Sequence, residues 1–222
     1  MKLYHGSDKI IEKPVFGGGK PYNDYGPGFY CTEDYELAGE WAVSFERDGY
    51  INTYSIDLRG LSVLDLNSPD YCILDWLEIL LENRRFDIQS DFGMEASEYL
   101  KKNFHTDHLN CDLIKGYRAD DSYFSFAQDF LNNTISLSTL ERAMKLGNLG
   151  EQIVLKSKKS FTRIVYEESS RAGAMNYFPK KEKRDKNARE DYRSLRGKSW
   201  RKGEIYMMQI LERELKRDDI RV

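Results

Sequence analysis

Residues 12–28 admit no regular element. Pro14, Gly17-Gly18-Gly19, Pro21, Asn23-Asp24 and Gly26-Pro27-Gly28 lie too close together for a helix or strand to run through them. The stretch reads as a mobile loop between two short pieces of structure. Before it, Lys2 to Tyr4 reads as a strand ending in the polar corner His5-Gly6-Ser7. After it come Phe29-Tyr30-Cys31-Thr32 and a helix start. Thr32 suits an N-cap, with Glu33 and Asp34 placed favourably at the helix dipole. Ala38, Trp41, Ala42 and Phe45 then recur at helical spacing.

Further along, Tyr50 to Asp57 and Leu61 to Leu66 read as strands joined at Arg59-Gly60. Ser68-Pro69 opens a helix whose buried stripe is Ile73, Leu77, Leu80 and Leu81. Another helix is expected over 94–103 and a strand from Cys111 to Lys115. Asp120 to Leu131 reads as a helix with Phe124, Ala127, Phe130 and Leu131 inward and Asp120-Asp121 at its N-terminus. Ser138-Thr139-Leu140-Glu141 fits a capping box for a helix ending near Gly147. Strands follow at Gln152 to Leu155 and Thr162 to Tyr166. Ile205 to Leu215 reads as a terminal amphipathic helix, with Ile205, Met208, Leu211 and Leu215 on one side. Strands and helices mix without a βαβ rhythm, so the fold class is α+β.

Charge is unevenly spread. Residues 180–202 hold eleven Lys/Arg against four Asp/Glu, a local balance of +7, which leaves the remainder at −10. Such a segment either recruits an anionic partner or is a solvated loop with no partner. Cys31, Cys72 and Cys111 are widely spaced and form no Cys-x-x-Cys pair, which points to a reducing cytoplasm. No apolar run approaches the roughly 18 residues of a membrane span. His105 and His108 flank Asp107, but the sequence offers no third ligand at metal-site spacing, so no metal centre is expected. Gly17-Gly18-Gly19-Lys20 lacks the spacing and the Lys-Ser/Thr ending of a phosphate-binding Walker loop.

His-Gly-Ser after a first strand, Gly-x-Gly-Phe-Tyr-x-Thr before a helix and Glu151-Gln152-Ile153-Val154 opening a late strand resemble, in that order, the ADP-ribosyltransferases of the His-Tyr-Glu type. More narrowly, the chain is similar to the bacterial ADP-ribosyltransferase-like family DUF3990. Leu64-Asp65-Leu66, Leu74-Asp75-Trp76-Leu77 with Asn83-Arg84, and Asp112-Leu113-Ile114-Lys115-Gly116-Tyr117-Arg118-Ala119-Asp120-Asp121 carry this likeness. It implies a split antiparallel or mixed β core around an NAD cleft, with a helical insertion at about 68–147. The catalytic domain would be residues 1–170, followed by a basic extension over 171–222.

By the same resemblance, the substrate is NAD, cleaved between nicotinamide and ribose. His5 would bond the adenosine ribose, and Gly6 the nicotinamide carboxamide with Ser7 nearby. Tyr30 would stack on the nicotinamide, and Trp41 would be a second aromatic facing it, although Trp41 also fits the helix core. Glu151 would be the catalytic carboxylate: a charge pair about 4 Å apart is worth ~4 kcal/mol at an effective dielectric of 20, against about 1 kcal/mol for a neutral amide bond. Related sequences place the functional residue at the position of Gln152, whose side chain on a strand points the other way. Gly17-Gly18-Gly19-Lys20 is either plain loop or a flexible flap over NAD. Arginine-specific members carry Glu or Gln where Leu149 stands here, which favours another acceptor or water.

Three functions follow. The first is mono-ADP-ribosylation of a protein or nucleic acid by a cytoplasmic bacterial toxin or effector held by a cognate antitoxin protein. The second is NAD hydrolysis with water as acceptor. The third is a non-catalytic nucleic-acid-binding module, in which Tyr192 and Trp200 of the basic segment stack on bases.

Overall fold

The computed structural model describes residues 1–119, 121–146, 150–196 and 202–220. Asp120, Gly147, Leu149 and Trp200, which figure in the sequence reading, lie outside the described residues. In chain order the elements are β1 (Lys2–Ser7), β2 (Phe29–Cys31), α1 (Tyr35–Ala42), β3 (Gly49–Ile56), β4 (Val63–Asp65), α2 (Ile73–Asn83), α3 (Asp91–Asn103), β5 (Leu113–Tyr117), α4 (Asp121–Leu131), α5 (Leu137–Ala143), β6 (Glu151–Leu155), α6 (Lys158–Arg163), β7 (Ile164–Ala172), α7 (Ala174–Arg196), α8 (Met207–Glu212) and α9 (Arg217–Ile220).

The strands form two sheets, ordered β1-β3-β7 and β2-β6-β5-β4. All pairs are antiparallel except β4 with β5. That parallel pair requires a crossover, supplied by α2 and α3. The architecture is therefore α+β with one antiparallel and one mixed sheet.

Leu3, Tyr54 and Ile56 of the first sheet bury against Phe29, Cys31, Leu113, Ile153 and Leu155 of the second. Alternation along the strands turns Ile114 and Val154 to the opposite face, where Tyr25, Trp76, Phe104, Phe126 and Phe130 bury them under the helices. Helix α1 covers the outer face of the first sheet with α7 packed beside it, and Ala38 and Ala42 of α1, Ala172 of β7 and Ala174 of α7 share one buried cluster there. Small side chains there allow close approach. Gly6 is the extreme case, because a methyl group on it would meet the carbonyl of Ala38 and the Cβ of Trp41. Helix packing thus explains this glycine.

Several boundaries differ from the sequence reading. Asp34, not Thr32, caps α1, its carboxylate accepting from the Leu37 N–H at 3.1 Å. The helix stops at Ala42, leaving Phe45 exposed. Ser68-Pro69 forms a turn, and α2 starts after Cys72, where Asp75 accepts the Cys72 N–H at 2.7 Å. Ser136 rather than Ser138 caps α5. Helix α6 precedes a longer β7 than expected.

The basic stretch is mostly helix. α7 lacks an apolar stripe but is rich in Lys, Arg and Glu, which are strong helix formers. Past its end, Met207 and Ile210 are the buried residues of α8, and Met208 faces out. These two join Ala188 and Tyr192 in the same core cluster as the α2–α5 helices.

Candidate functional site

Besides packing face to face, the two sheets join through backbone hydrogen bonds. Tyr4 and Thr32 exchange backbone hydrogen bonds of 2.8 and 2.9 Å. One residue on, the His5 side chain spans the gap, its Nδ1 lying 2.6 Å from the Tyr30 carbonyl. A carbonyl only accepts, so Nδ1 carries the proton and Nε2 presents a lone pair. Burial lowers the His5 pKa and the Tyr30 bond opposes it, which keeps the ring neutral near pH 7. Phe29 stacks on the imidazole with centroids 4.4 Å apart.

Beyond this gap opens a cleft of about 1270 Å³. His5, Gly6, Ser7, Tyr30, Trp41 and Gln152 all line it. The irregular segment from Asp8 to Gly28 forms its rim, and buried anchors fix that segment where the sequence reads as mobile. Asn52, fully buried, accepts from the Ile11 N–H and donates to the carbonyls of His5 and Lys9. Tyr54 donates its hydroxyl to the Ile11 carbonyl. Tyr25 is also fully buried and donates to the Tyr117 carbonyl at 2.6 Å. Its ring lies where a side chain on Gly116 would be. The Tyr30 hydroxyl donates to the Gly26 carbonyl at 2.6 Å and accepts from the Tyr25 N–H at 3.1 Å. Burial raises its pKa well out of the physiological range, so Tyr30 serves as a fixed ring and not as an acid or base.

The cleft has a carboxylate that motif reading missed. Asp24 accepts from the Ala119 N–H at 2.9 Å and from Gln152 Nε2 at 3.4 Å, with Arg84 at 3.7 Å. Desolvation raises its pKa to about 6 against the hydrogen bonds and nearby guanidinium charges. The sequence marks Asn23-Asp24 only as a turn, and nothing local announces a buried acid. Two buried polar atoms of residues that line the cleft lack partners among the described residues: Gln152 Oε1, an acceptor, and Trp41 Nε1, a donor. Arg118 lies over the Trp41 ring at 4.9 Å. Such orphans are rare in folded proteins and mark a place where a ligand or water belongs.

Glu151 is not brought to this cleft. Along β2 and β6, Tyr30 pairs with Val154, so Tyr30 and Gln152 share one face while Glu151 points to the other. Its carboxylate sits 2.9 Å from Lys115 Nζ and accepts from Asn67 Nδ2 at 2.8 Å, with 43% of the side chain exposed. The expected convergence of Glu151 with His5 and Tyr30 is corrected by strand alternation. Ser7 lies at the mouth, accepting from the Lys9 N–H at 3.3 Å.

The far wall comes from α7, through Lys181, Arg184, Asp185 and Arg189. Arg184 holds Glu40 of α1 by two bonds of 2.8 and 2.9 Å, and the Glu40 side chain is only 4% exposed. Tyr192 is not available to nucleic acid: it is buried, stacks on Phe126 and donates to Asp129 at 2.6 Å.

A family described as a protein of unknown function, DUF3990, matches residues 1–166. The chain belongs to the DUF3990 family. The match includes His5, Tyr30, Trp41, Asp24 and Gln152 and stops before α7. Comparisons with curated proteins and with solved structures give no match. Among the described residues of this DUF3990 chain, no helix is long and apolar enough to cross a membrane.

Proposed function

We propose that this chain is an NAD-dependent mono-ADP-ribosyltransferase of the His-Tyr type, with Asp24 and Gln152 where a catalytic glutamate was expected. The observation that carries the reading is the pair of buried, unpartnered atoms in the cleft. An indole N–H donor and an amide oxygen acceptor complement a primary carboxamide, which offers one carbonyl and one NH₂. Neutral His5 offers a lone pair suited to a sugar hydroxyl. The basic side chains of the rim and far wall suit a pyrophosphate. Tyr30 supplies a flat surface held rigid by its hydroxyl.

NAD, when bound, supplies a glycosidic bond that breaks with positive charge on the ribose and leaves neutral nicotinamide, while the acceptor contributes a nucleophile and loses a proton. Asp24 opposes that charge. With a pKa of about 6 it is largely ionised at neutral pH, and its low-dielectric surroundings strengthen the attraction. Gln152 holds Asp24 through its NH₂ and keeps its oxygen buried without a partner among the described residues.

The test uses purified protein, NAD labelled in the adenosine half and cell lysate. Transfer of label to a macromolecule is expected. It should fall about 100-fold in Gln152→Ala, the scale for losing one preorganised polar contact, and persist in Glu151→Ala. Absence of NAD consumption by the intact chain would overturn the proposal. Equal transfer by Gln152→Ala would remove Gln152 from it. Free ADP-ribose without a labelled macromolecule would make water the acceptor.

A further inference from the structure

On the other side of α2, a second group of chemistry-bearing residues takes no part in the cleft. Glu78 and Glu82 lie one turn apart on α2, and the loop after α3 brings His105 and His108 onto them. His105 Nδ1 is 3.2 Å from Glu78 Oε1 and 3.9 Å from Glu82 Oε1. His108 Nε2 is 3.4 Å from Glu82 Oε2. Ligand atoms of Glu78, Glu82 and His105 all fall within 4.8 Å of one another. The sequence showed only the two histidines, because the carboxylates arrive from more than twenty residues upstream.

This arrangement is unbalanced as it stands. The His108 side chain is 1% exposed, and its Nδ1 lies 3.3 Å from the Thr106 carbonyl. That carbonyl can only accept, so Nδ1 holds the proton and Nε2 is left with a lone pair. Nε2 faces a carboxylate oxygen without a hydrogen bond to it, lone pair against negative charge. The Glu78 side chain has no solvent exposure and lies beside Glu82. Two adjacent acids, the unpartnered Nε2 of buried His108 and the ring of His105 against both acids together make a donor set that a cation would satisfy.

We propose that Glu78, Glu82, His105 and His108 bind one divalent transition-metal ion of the zinc class, clamping α2 to the 104–110 loop. The donor set decides the class: imidazole nitrogen suits zinc, cobalt and nickel, whereas calcium and magnesium prefer all-oxygen shells. Tetrahedral bonds of about 2.0–2.2 Å put neighbouring donor atoms about 3.3–3.6 Å apart; the close pairs here span 3.2 to 3.9 Å, with Glu78, Glu82 and His105 gathered within 4.8 Å and His108 joining them through Glu82. The Thr106 carbonyl on His108 Nδ1 and the Thr106 hydroxyl on Glu78 Oε2, at 3.3 Å, supply the outer support such ligands need. On binding, neutral His105 exchanges its Nδ1–H for an Nε2–H through solvent, which frees Nδ1 to ligate with no net loss of a proton from the ring.

The experiment titrates the full chain, stripped with chelator, with Co²⁺ alone and then with Zn²⁺. One equivalent of Co²⁺ should give the visible absorption of a four-coordinate nitrogen and oxygen site, and Zn²⁺ should bleach it. Zn²⁺ should also raise Tm where Mg²⁺ does not. Glu82→Gln and His105→Ala both change solvent-reaching side chains, so the fold should persist. Each should weaken binding by at least the roughly 10- to 100-fold lost when supporting groups alone are removed. Asp107→Asn, in the same loop, should bind as the parent does. Absence of the cobalt spectrum, or unchanged affinity in both ligand variants, would overturn the proposal. Gln152→Ala should leave the metal titration unchanged, so this result and the NAD result stand or fall separately.

Discussion

Glu151 and Gln152 are neighbours in the chain and belong to different parts of the molecule. The face of the second sheet that carries Tyr30 and Gln152 is closed over by Asp24, Tyr25 and the rim loop, so its polar groups are desolvated and their few partners matter. The face that carries Glu151 opens to water at that end, where Lys115 and Asn67 satisfy the carboxylate. A charged residue therefore stands where charge has little leverage, and a neutral amide stands where a polar contact has much. Chemical type alone ranks Glu151 first; environment reverses the order.

Three measurements sharpen that contrast. The largest effect is expected at Glu40→Ala, which leaves Arg184 facing the cleft without its bidentate partner. Breaking buried pairs costs about 3–5 kcal/mol, and partial exposure of Arg184 places this one near the lower end, measured by urea unfolding.

Next is Asp24. Its pKa is about 6 in the folded chain against an ordinary 3.8. Folding therefore favours the protonated acid: this contribution is complete below pH 3.8 and is lost as pH rises through 6. The difference is on the order of 3 kcal/mol. Asp24→Asn should abolish that part of the decline between pH 4 and pH 7. An unchanged decline would mean that Asp24 is not buried as described.

The smallest effect is expected on the open face. Lys115→Ala removes the partner of Glu151, and exposed pairs are worth about 0–1 kcal/mol. A cost of several kcal/mol would show that this face is not solvated and would break the comparison.

The α+β class, most strands and the buried stripe of α2 were legible because alternation and helical spacing are local signals. His5, Tyr30, Trp41 and Gln152 were legible as a set through the family likeness, and the cleft does gather them. Asp24 was not, since its burial is set by Ala119 and Gln152, far along the chain. Helix α7 was hidden because charge on all sides erases the periodicity that reveals helices. The Glu78, Glu82, His105 and His108 cluster escaped for a similar reason: no spacing rule links a helix to a loop two elements later.

The family match ends at residue 166, yet Lys181, Arg184, Asp185 and Arg189 of α7 complete the cleft. The match thus covers the Tyr30 floor and leaves the α7 wall outside it, so substitutions in α7 alone would recharge the entrance while the floor stayed as it is.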